Sequence, residues 1–272
     1  MAAAVLASLF LVSAEASAAV PLASHRAVYD LSLNETAAGS GIGDVAGRMV
    51  LEFVGTECDG YTLNMRIVTR FLLRNGNENI ADTRTTSWES GDGREFRFST
   101  QQYVNNTITE DSRGNAERGE GGEPGKAVLE KPERKEVLLP AETVFPVEHT
   151  RRIIDKALAG ELMDHSLVYD GSEDQRPMFT VTFVGEKRPA GSVELPESIG
   201  DTEGLAKLPA WPVTVSYFGS EAERSGEQTP EHELSFLLFE NGIASDVTLS
   251  YSDFSLEGEL RQLAIIPQPP CD

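Results

Sequence analysis

The sequence predicts an all-β protein with one main helix, and three observations carry that prediction. Period-2 runs rich in Val, Ile, Thr and aromatic residues recur between turns containing Gly, Asn and Asp. Only the stretch after Pro140 combines helical spacing with clear start and stop signals. At 272 residues and 40% hydrophobic, the chain can bury a sizeable core in one large all-β domain or two smaller ones.

From the start, Ala2 to Val12 is an uncharged, mostly apolar block, and Ala16-Ser17-Ala18 offers the small residues at alternate positions that a signal peptidase accepts. Residues 1–19 are read as an export signal cleaved after Ala18 or Ala19, leaving 20–272 as the mature chain. No Lys or Arg precedes the block, and a buried N-terminal helix is the alternative reading. No apolar run reaches the roughly 20 residues that a membrane helix needs.

His25 to Leu33 reads as a first strand, followed by a loop from Thr36 to Gly43. Met49, Leu51 and Phe53 alternate with Glu52, and Tyr61, Leu63, Met65 and Ile67 alternate with Thr62, Asn64 and Arg66, so Met49 to Phe71 is a hairpin. Its turn, Cys58-Asp59-Gly60-Tyr61, has the Asp-Gly pair that a type I′ turn demands. A turn at Arg74-Asn75-Gly76-Asn77 leads to a Thr-rich strand from Ile80 to Glu89 that carries Trp88. Gly91-Asp92-Gly93 turns the chain into Glu95 to Tyr103, with Phe96 and Phe98 on one face. Arg113 to Lys126, dominated by Gly and Glu, is read as a mobile loop. It has no Gly-Lys-Ser/Thr, and Glu117, Glu120 and Glu123 would repel phosphate.

In the helix, Thr143 is the expected cap, Pro146 suits the first turn and Gly160 the end. Val147, Thr150, Ile154, Ala157 and Leu158 form one stripe, with Glu148, Arg151, Arg152 and Lys156 largely off it. Strands follow at Ser166–Tyr169, Phe179–Gly185, Val213–Phe218, Leu234–Phe239, Ile243–Tyr251 and Leu256–Ile266. Leu234–Phe239 is apolar on both faces and therefore central. None of these runs contains a proline, and Pro189, Pro196, Pro209 and Pro212 fall between them.

Acidic residues outnumber basic ones by 44 to 23, a formal charge of −21, which argues against nucleic acid and anionic membrane surfaces as partners. The two cysteines, Cys58 and Cys271, permit one intramolecular pairing in an oxidising compartment, and two free thiols are the alternative. The four histidines, His25, His149, His165 and His232, show no metal-binding spacing. No G-x-S-x-G elbow is present, and no cofactor motif stands out. His149 lies in the first turn of the helix, a place more often packed than catalytic. Carboxylates such as Glu89 or Asp253 are no better supported as a general acid than any other in so acidic a chain. Trp88 and the strand phenylalanines either fill a core or line a concavity for an acyl chain or a peptide.

Several motifs in one order carry a resemblance: Cys58-Asp59-Gly60-Tyr61, Thr83-Arg84-Thr85-Thr86-Ser87-Trp88-Glu89-Ser90, Leu139-Pro140-Ala141-Glu142-Thr143-Val144-Phe145-Pro146 with His149-Thr150, and Ser252-Asp253-Phe254. Together they resemble the bacterial periplasmic cell-envelope integrity protein B family over nearly the whole mature chain. The resemblance implies one domain over 20–272, a large antiparallel β-spiral or open curved sheet similar in outline to periplasmic lipoprotein carriers, with a helix packed against it. It implies periplasmic export, a Cys58–Cys271 disulfide, a role in envelope integrity, and a partner built from tetratricopeptide repeats. It brings no catalytic residues and no cofactor. Trp88, Glu89, Phe145 and His149, which stand in its motifs, are the candidate binding-surface or structural residues. The leading reading is a non-enzymatic protein that acts by protein–protein binding. The second is a carrier or sensor of lipid or lipoprotein, and the third a hydrolase whose Ser, His and Asp meet only in space.

Overall fold

The computed structural model describes residues 21–171, 176–219 and 229–271, so the export signal read in residues 1–19 lies outside the described residues. Among the described residues, fifteen strands form one sheet. They are β1 (His25–Thr36), β2 (Ile42–Thr56), β3 (Gly60–Leu73), β4 (Glu78–Glu89), β5 (Glu95–Val104), β6 (Thr107–Glu117), β7 (Gly125–Lys131), β8 (Lys135–Leu139) and β9 (Thr143–Val144). After helix α1 (Pro146–Ala159) come β10 (Met163–Val168) and β11 (Met178–Val184), a 3₁₀ turn at Glu197–Ile199, and α2 (Thr202–Ala206). The chain ends through β12 (Ala210–Phe218), β13 (His232–Phe239), β14 (Ala244–Tyr251) and β15 (Phe254–Ile265). No helix among these is long and apolar enough to cross a membrane.

The spatial order is β8-β7-β6-β5-β4-β3-β2-β1-β15-β14-β13-β12-β11-β10-β9. The chain enters mid-sheet at β1, meanders out to the edge at β8, and crosses to the other edge at β9. It then returns strand by strand until β15 lies antiparallel beside β1, with His25 opposite Ile265. The crossing dictates the shape. Laid flat, the two edges of such a sheet would stand roughly 65–70 Å apart, yet the link from Leu139 to Thr143 spans only about 14 Å when extended. The sheet must therefore curl until its edges nearly meet, giving a barrel-like wall. All its neighbours are antiparallel except β9 and β10, where Thr143 pairs with Leu167 in parallel.

Inward positions supply the core. Ala27, Tyr29 and Leu31 of β1 meet Met49, Leu237, Phe239, Val247, Leu260 and Leu263 from strands around the wall. Helix α1 lies inside. Its Ile153, Ile154 and Ala157 share one buried cluster with Tyr61 of β3 and with Trp211, Val213, Val215 and Leu238 of β12 and β13, and strands so far apart in the sheet join one cluster only across the interior. The expected all-β class, curved sheet and single main helix are thus present.

Several details differ from expectation. The stretch read as a mobile loop, Arg113 to Lys126, is strand at both ends with a turn only over 118–124: β6 runs to Glu117, β7 begins at Gly125, and Ala116 pairs with Ala127. The inward positions Gly114 and Ala116, and Ala127 just beyond, are small because they pack against Phe96 and Phe98, which hides the apolar alternation from the sequence. The β2–β3 turn is not type I′, since only Gly60 (φ 79°) of the Asp59-Gly60 pair is left-handed. Thr56 shapes this turn by accepting the Asp59 amide on Oγ1 at 3.1 Å. β12 starts earlier than expected and takes in Pro212, whose carbonyl accepts the Gly185 amide where β11 has already ended, so no ladder donor is lost. On α1, Leu158 points outward at 42% exposure, and Ile153, His149 and Arg151 are buried in its place.

Candidate functional site

At one end of the barrel the β2–β3 turn, the β4–β5 turn, the first described residues and the C-terminal tail converge on the N-terminus of α1. A helix start exposes amide donors that need acceptors. The expected cap, Thr143, is instead paired in β9; the N-cap residue is Phe145, which has no side-chain acceptor, and Pro146 occupies the first turn. The acceptor comes from β4: Glu89, 1% exposed, takes the Val147 amide on Oε2 at 2.7 Å and the Glu148 amide on Oε1 at 2.8 Å. This carboxylate caps the helix from 58 residues away in sequence. Burial pushes its pKa up to about 7, against the pull of those two amides.

Arg151, one and a half turns along, ties the same helix to the turns. Its Nη1 donates to the Gly91 carbonyl at 2.7 Å, its Nη2 stands 3.6 Å from Glu57 Oε1, and its guanidinium lies 5.0 Å from the Tyr61 ring centre. Sequence spacing had placed Arg151 off the buried stripe, yet it is only 9% exposed. Trp88 donates its Nε1–H to the Asp59 carbonyl at 3.2 Å and is covered by Arg97 at 4.8 Å. Next to Asp59, Cys58 is bonded to Cys271 with the Cα atoms 5.8 Å apart. The tail leading to Cys271 is held by Gln268, whose Nε2 donates to the Leu22 carbonyl, Ser24 Oγ and the Gly55 carbonyl.

Gly91 lets the two turns approach, since a Cβ there would stand 1.6 Å from the Glu57 carbonyl oxygen. Gly91→Ala is expected to force the turns apart and to cost about 2–3 kcal/mol. The check is a lower urea midpoint at an unchanged slope.

Of the four residues singled out in the sequence, the structure brings Trp88 and Glu89 to this end and sets them on neighbouring parts of the turn–helix junction. Phe145 (0% exposed) points into a separate cluster with Phe96, Phe98 and Tyr169. His149 faces the far side of α1. It is 5% exposed, its Nε2 has no hydrogen-bond partner, and burial lowers its pKa to about 4 although the Asp164 carboxylate pulls the other way. Ser166 is nearby in this polar pocket, but its Oγ donates to Asp164 Oδ2 at 2.7 Å, and Arg152 Nη2 approaches Asp164 Oδ1 at 3.5 Å. The contacts run from serine to aspartate and do not pass through His149, so this is not the order of a serine–histidine–aspartate relay. Arg151, Gly91 and Gln268 were not legible as site residues, because their partners are carbonyls brought in by the fold.

Between α1 and the wall at this end is a cavity of about 190 Å³, lined by Leu51, Phe53, Tyr61, Leu63 and Val147, with Glu89 at one side. Phe53 and Tyr61 stack at 5.2 Å along its lining. It is apolar, but smaller than the roughly 300–1,000 Å³ of usual ligand pockets.

The geometry can be set beside known proteins. A family model described as EipB-like matches residues 16–267. The chain is 37% identical over 254 residues to the "Cell envelope integrity protein EipB" of Brucella abortus, covering 93% of this chain and 88% of that protein. It is also similar to a crystal structure described as a beta-barrel-like protein of the domain of unknown function DUF1849, from Brucella abortus. That match has a TM-score of 0.82 and 35% identity, and covers 92% of this chain and 100% of the other.

Proposed function

Because this chain belongs to the EipB-like family, we propose that it is a periplasmic, non-enzymatic protein that supports cell-envelope integrity by binding another envelope protein. In this reading residues 1–19 are an export signal and 20–272 a single domain, closed by the Cys58–Cys271 bond. The observation that carries it is the employment of the conspicuous polar residues. Glu89 and Arg151, both buried, and Trp88 and Gln268, nearer the surface, are each bonded to backbone groups that hold α1, the β2–β3 turn and the tail to the barrel. A site so engaged builds a rigid body whose outer surface is left for recognition. The partner with tetratricopeptide repeats belongs to this proposal. The test is crosslinking in intact cells followed by purification of the oxidised chain: a defined protein adduct is expected, and recovery of the chain without any adduct counts against the reading.

The apolar cavity favours a second reading, a carrier or sensor of lipid or lipoprotein. At about 190 Å³ it would take part of one acyl chain at most without opening. Native mass spectrometry of gently purified material separates the two. An acyl-bearing adduct that disappears in Leu63→Trp, which fills the cavity, would favour the carrier.

A further inference from the structure

We propose that the Cys58–Cys271 bond bolts a door on the apolar cavity beside α1, and that its reduction by a dithiol opens the cavity to the hydrocarbon chain of a single-chain amphiphile. This deepens the carrier reading above and rests on it. Most of the lining belongs to strands or to α1; only Leu22, Ala23, Asn241 and Gly242 lie outside them. These two stretches close on each other. The Ala23 amide donates to the Asn241 carbonyl at 2.9 Å, and Leu22, 2% exposed, packs so tightly on Gly242 that a Cβ there would stand 2.7 Å from Leu22 Cδ2. Leu22 and Ala23 are the door.

The C-terminal tail holds this door shut. The Ile266 amide donates to the Ser24 carbonyl at 2.8 Å, and Gln268 Nε2 donates to the Leu22 carbonyl at 2.8 Å, to Ser24 Oγ at 3.0 Å and to the Gly55 carbonyl at 2.7 Å. Pro267, Pro269 and Pro270 have no amide to add. Beyond Gln268 the tail is fastened by the bond from Cys271 to Cys58. Gln268 and both cysteines are exposed, so a thiol reaches the sulfurs and water competes for the clasp that remains once they part. The exchange balances. One thiolate of the dithiol attacks a sulfur of the pair and expels the other as a thiolate, which takes up a proton. The second thiol then displaces the first, leaving Cys58 and Cys271 as thiols and the dithiol as a disulfide.

The lining sets the chemistry of the occupant. Its main polar groups are already engaged: Tyr29 donates from Oη to the Ala244 carbonyl at 2.7 Å, Thr150 from Oγ1 to the Pro146 carbonyl at 3.0 Å, and Glu89 accepts the helix amides. Leu51, Phe53, Leu63 and Val147 offer contact alone, which a hydrocarbon satisfies and a polar head does not. A dry cavity of about 190 Å³ has room for part of one chain while the door is shut. With Leu22 swung out, the rest of the chain and its head trail into solvent. The charge of −21 selects a zwitterionic or uncharged head over an anionic one.

The test compares the full-length mature chain, oxidised and after dithiothreitol, well below its melting transition. The probe is the neutral fluorophore 1-N-phenylnaphthylamine, with lysophosphatidylethanolamine as its competitor. Reduction is expected to tighten probe binding roughly tenfold or more, because the open population rises, and the competitor should displace the probe. Gln268→Ala, with the bond intact, should tighten binding in the same direction. Leu63→Trp and, independently, Leu51→Phe fill the cavity and should abolish binding in the reduced form. Hydrogen exchange should quicken on reduction at the Ala23 and Ile266 amides while β2 and β3 keep their protection. Exchange that quickens throughout the sheet, or loss of the fold, shows that the bond is only a general staple and overturns the proposal. Equal binding by both redox forms, abolished by the cavity-filling substitutions, also overturns it and leaves the carrier reading standing. Binding by neither form, or binding indifferent to both fillers, overturns the two together.

Discussion

Cys58→Ser is expected to lower the melting temperature in oxidising buffer by about 10–20 °C and to leave it nearly unchanged under reduction. The bond spans a sequence separation of 213, so it closes most of the 272-residue chain into a ring. For a loop of that length, loss of denatured-state entropy corresponds to roughly 5 kcal/mol of stabilisation. That is comparable with the whole stability of many domains. The native state contributes in the same direction, because the tail before Cys271 carries Gln268, which fastens Leu22 and Ser24 to Gly55. Freed at Cys271, this tail should fray and loosen the first residues of β1. Calorimetry with and without reductant is the check. Equal melting of variant and wild type in oxidising buffer would count against the bond as a structural tie.

The second large effect is a pair of opposed pH dependences. Glu89 has its pKa raised to about 7 by burial from an ordinary 4.5. The folded state therefore holds this proton where the unfolded state has lost it. Its contribution to stability is full below about 4.5 and declines as pH rises through 7, by roughly 3 kcal/mol. His149 does the reverse: its pKa is lowered from 6.5 to about 4, so the unfolded state binds the proton first. Its contribution is full above 6.5 and is lost as pH falls toward 4, by a similar amount, roughly 3 kcal/mol. Between about 4.5 and 6.5 the two slopes offset each other in the wild type. Glu89→Gln leaves only His149, so stability should rise with pH across that window relative to wild type. His149→Phe leaves only Glu89, so stability should fall. Urea midpoints at pH 5 and pH 7 for the three proteins decide it, and identical profiles would show that neither group titrates in the folded state as its burial requires.

The hairpin around Cys58, the strand ending in Trp88 and Glu89, and the helix between Pro146 and Gly160 were legible in the sequence, because each is set by neighbours within a few positions. The pairing of β6 with β7 was not. Where Phe96 and Phe98 fill the space above, the opposing positions must be small, and Gly114, Ala116 and Ala127 then look like a loop. The helix cap was misassigned for a related reason. Thr143 has the right chemistry close by, but β9 holds it in the sheet, and Glu89 reaches the open amides from another strand. Burial of Arg151 could not be read from helical spacing either, since its partners are the Gly91 carbonyl and the Tyr61 ring.

By itself the sequence determined the fold class: alternation of side chains fixes strands, and helical spacing between Pro146 and Gly160 fixes the one main helix. Tertiary structure alone decided which edges approach, that β1 lies against β15, that Glu89 meets the helix start and that, among the described residues, β8 and β9 stand at the ends of the sheet. The physical reason is range. Local patterns depend on dihedral and side-chain preferences within a turn or a strand, whereas closure of the sheet depends on where the whole meander ends, and the short Leu139–Thr143 link brings its two edges together.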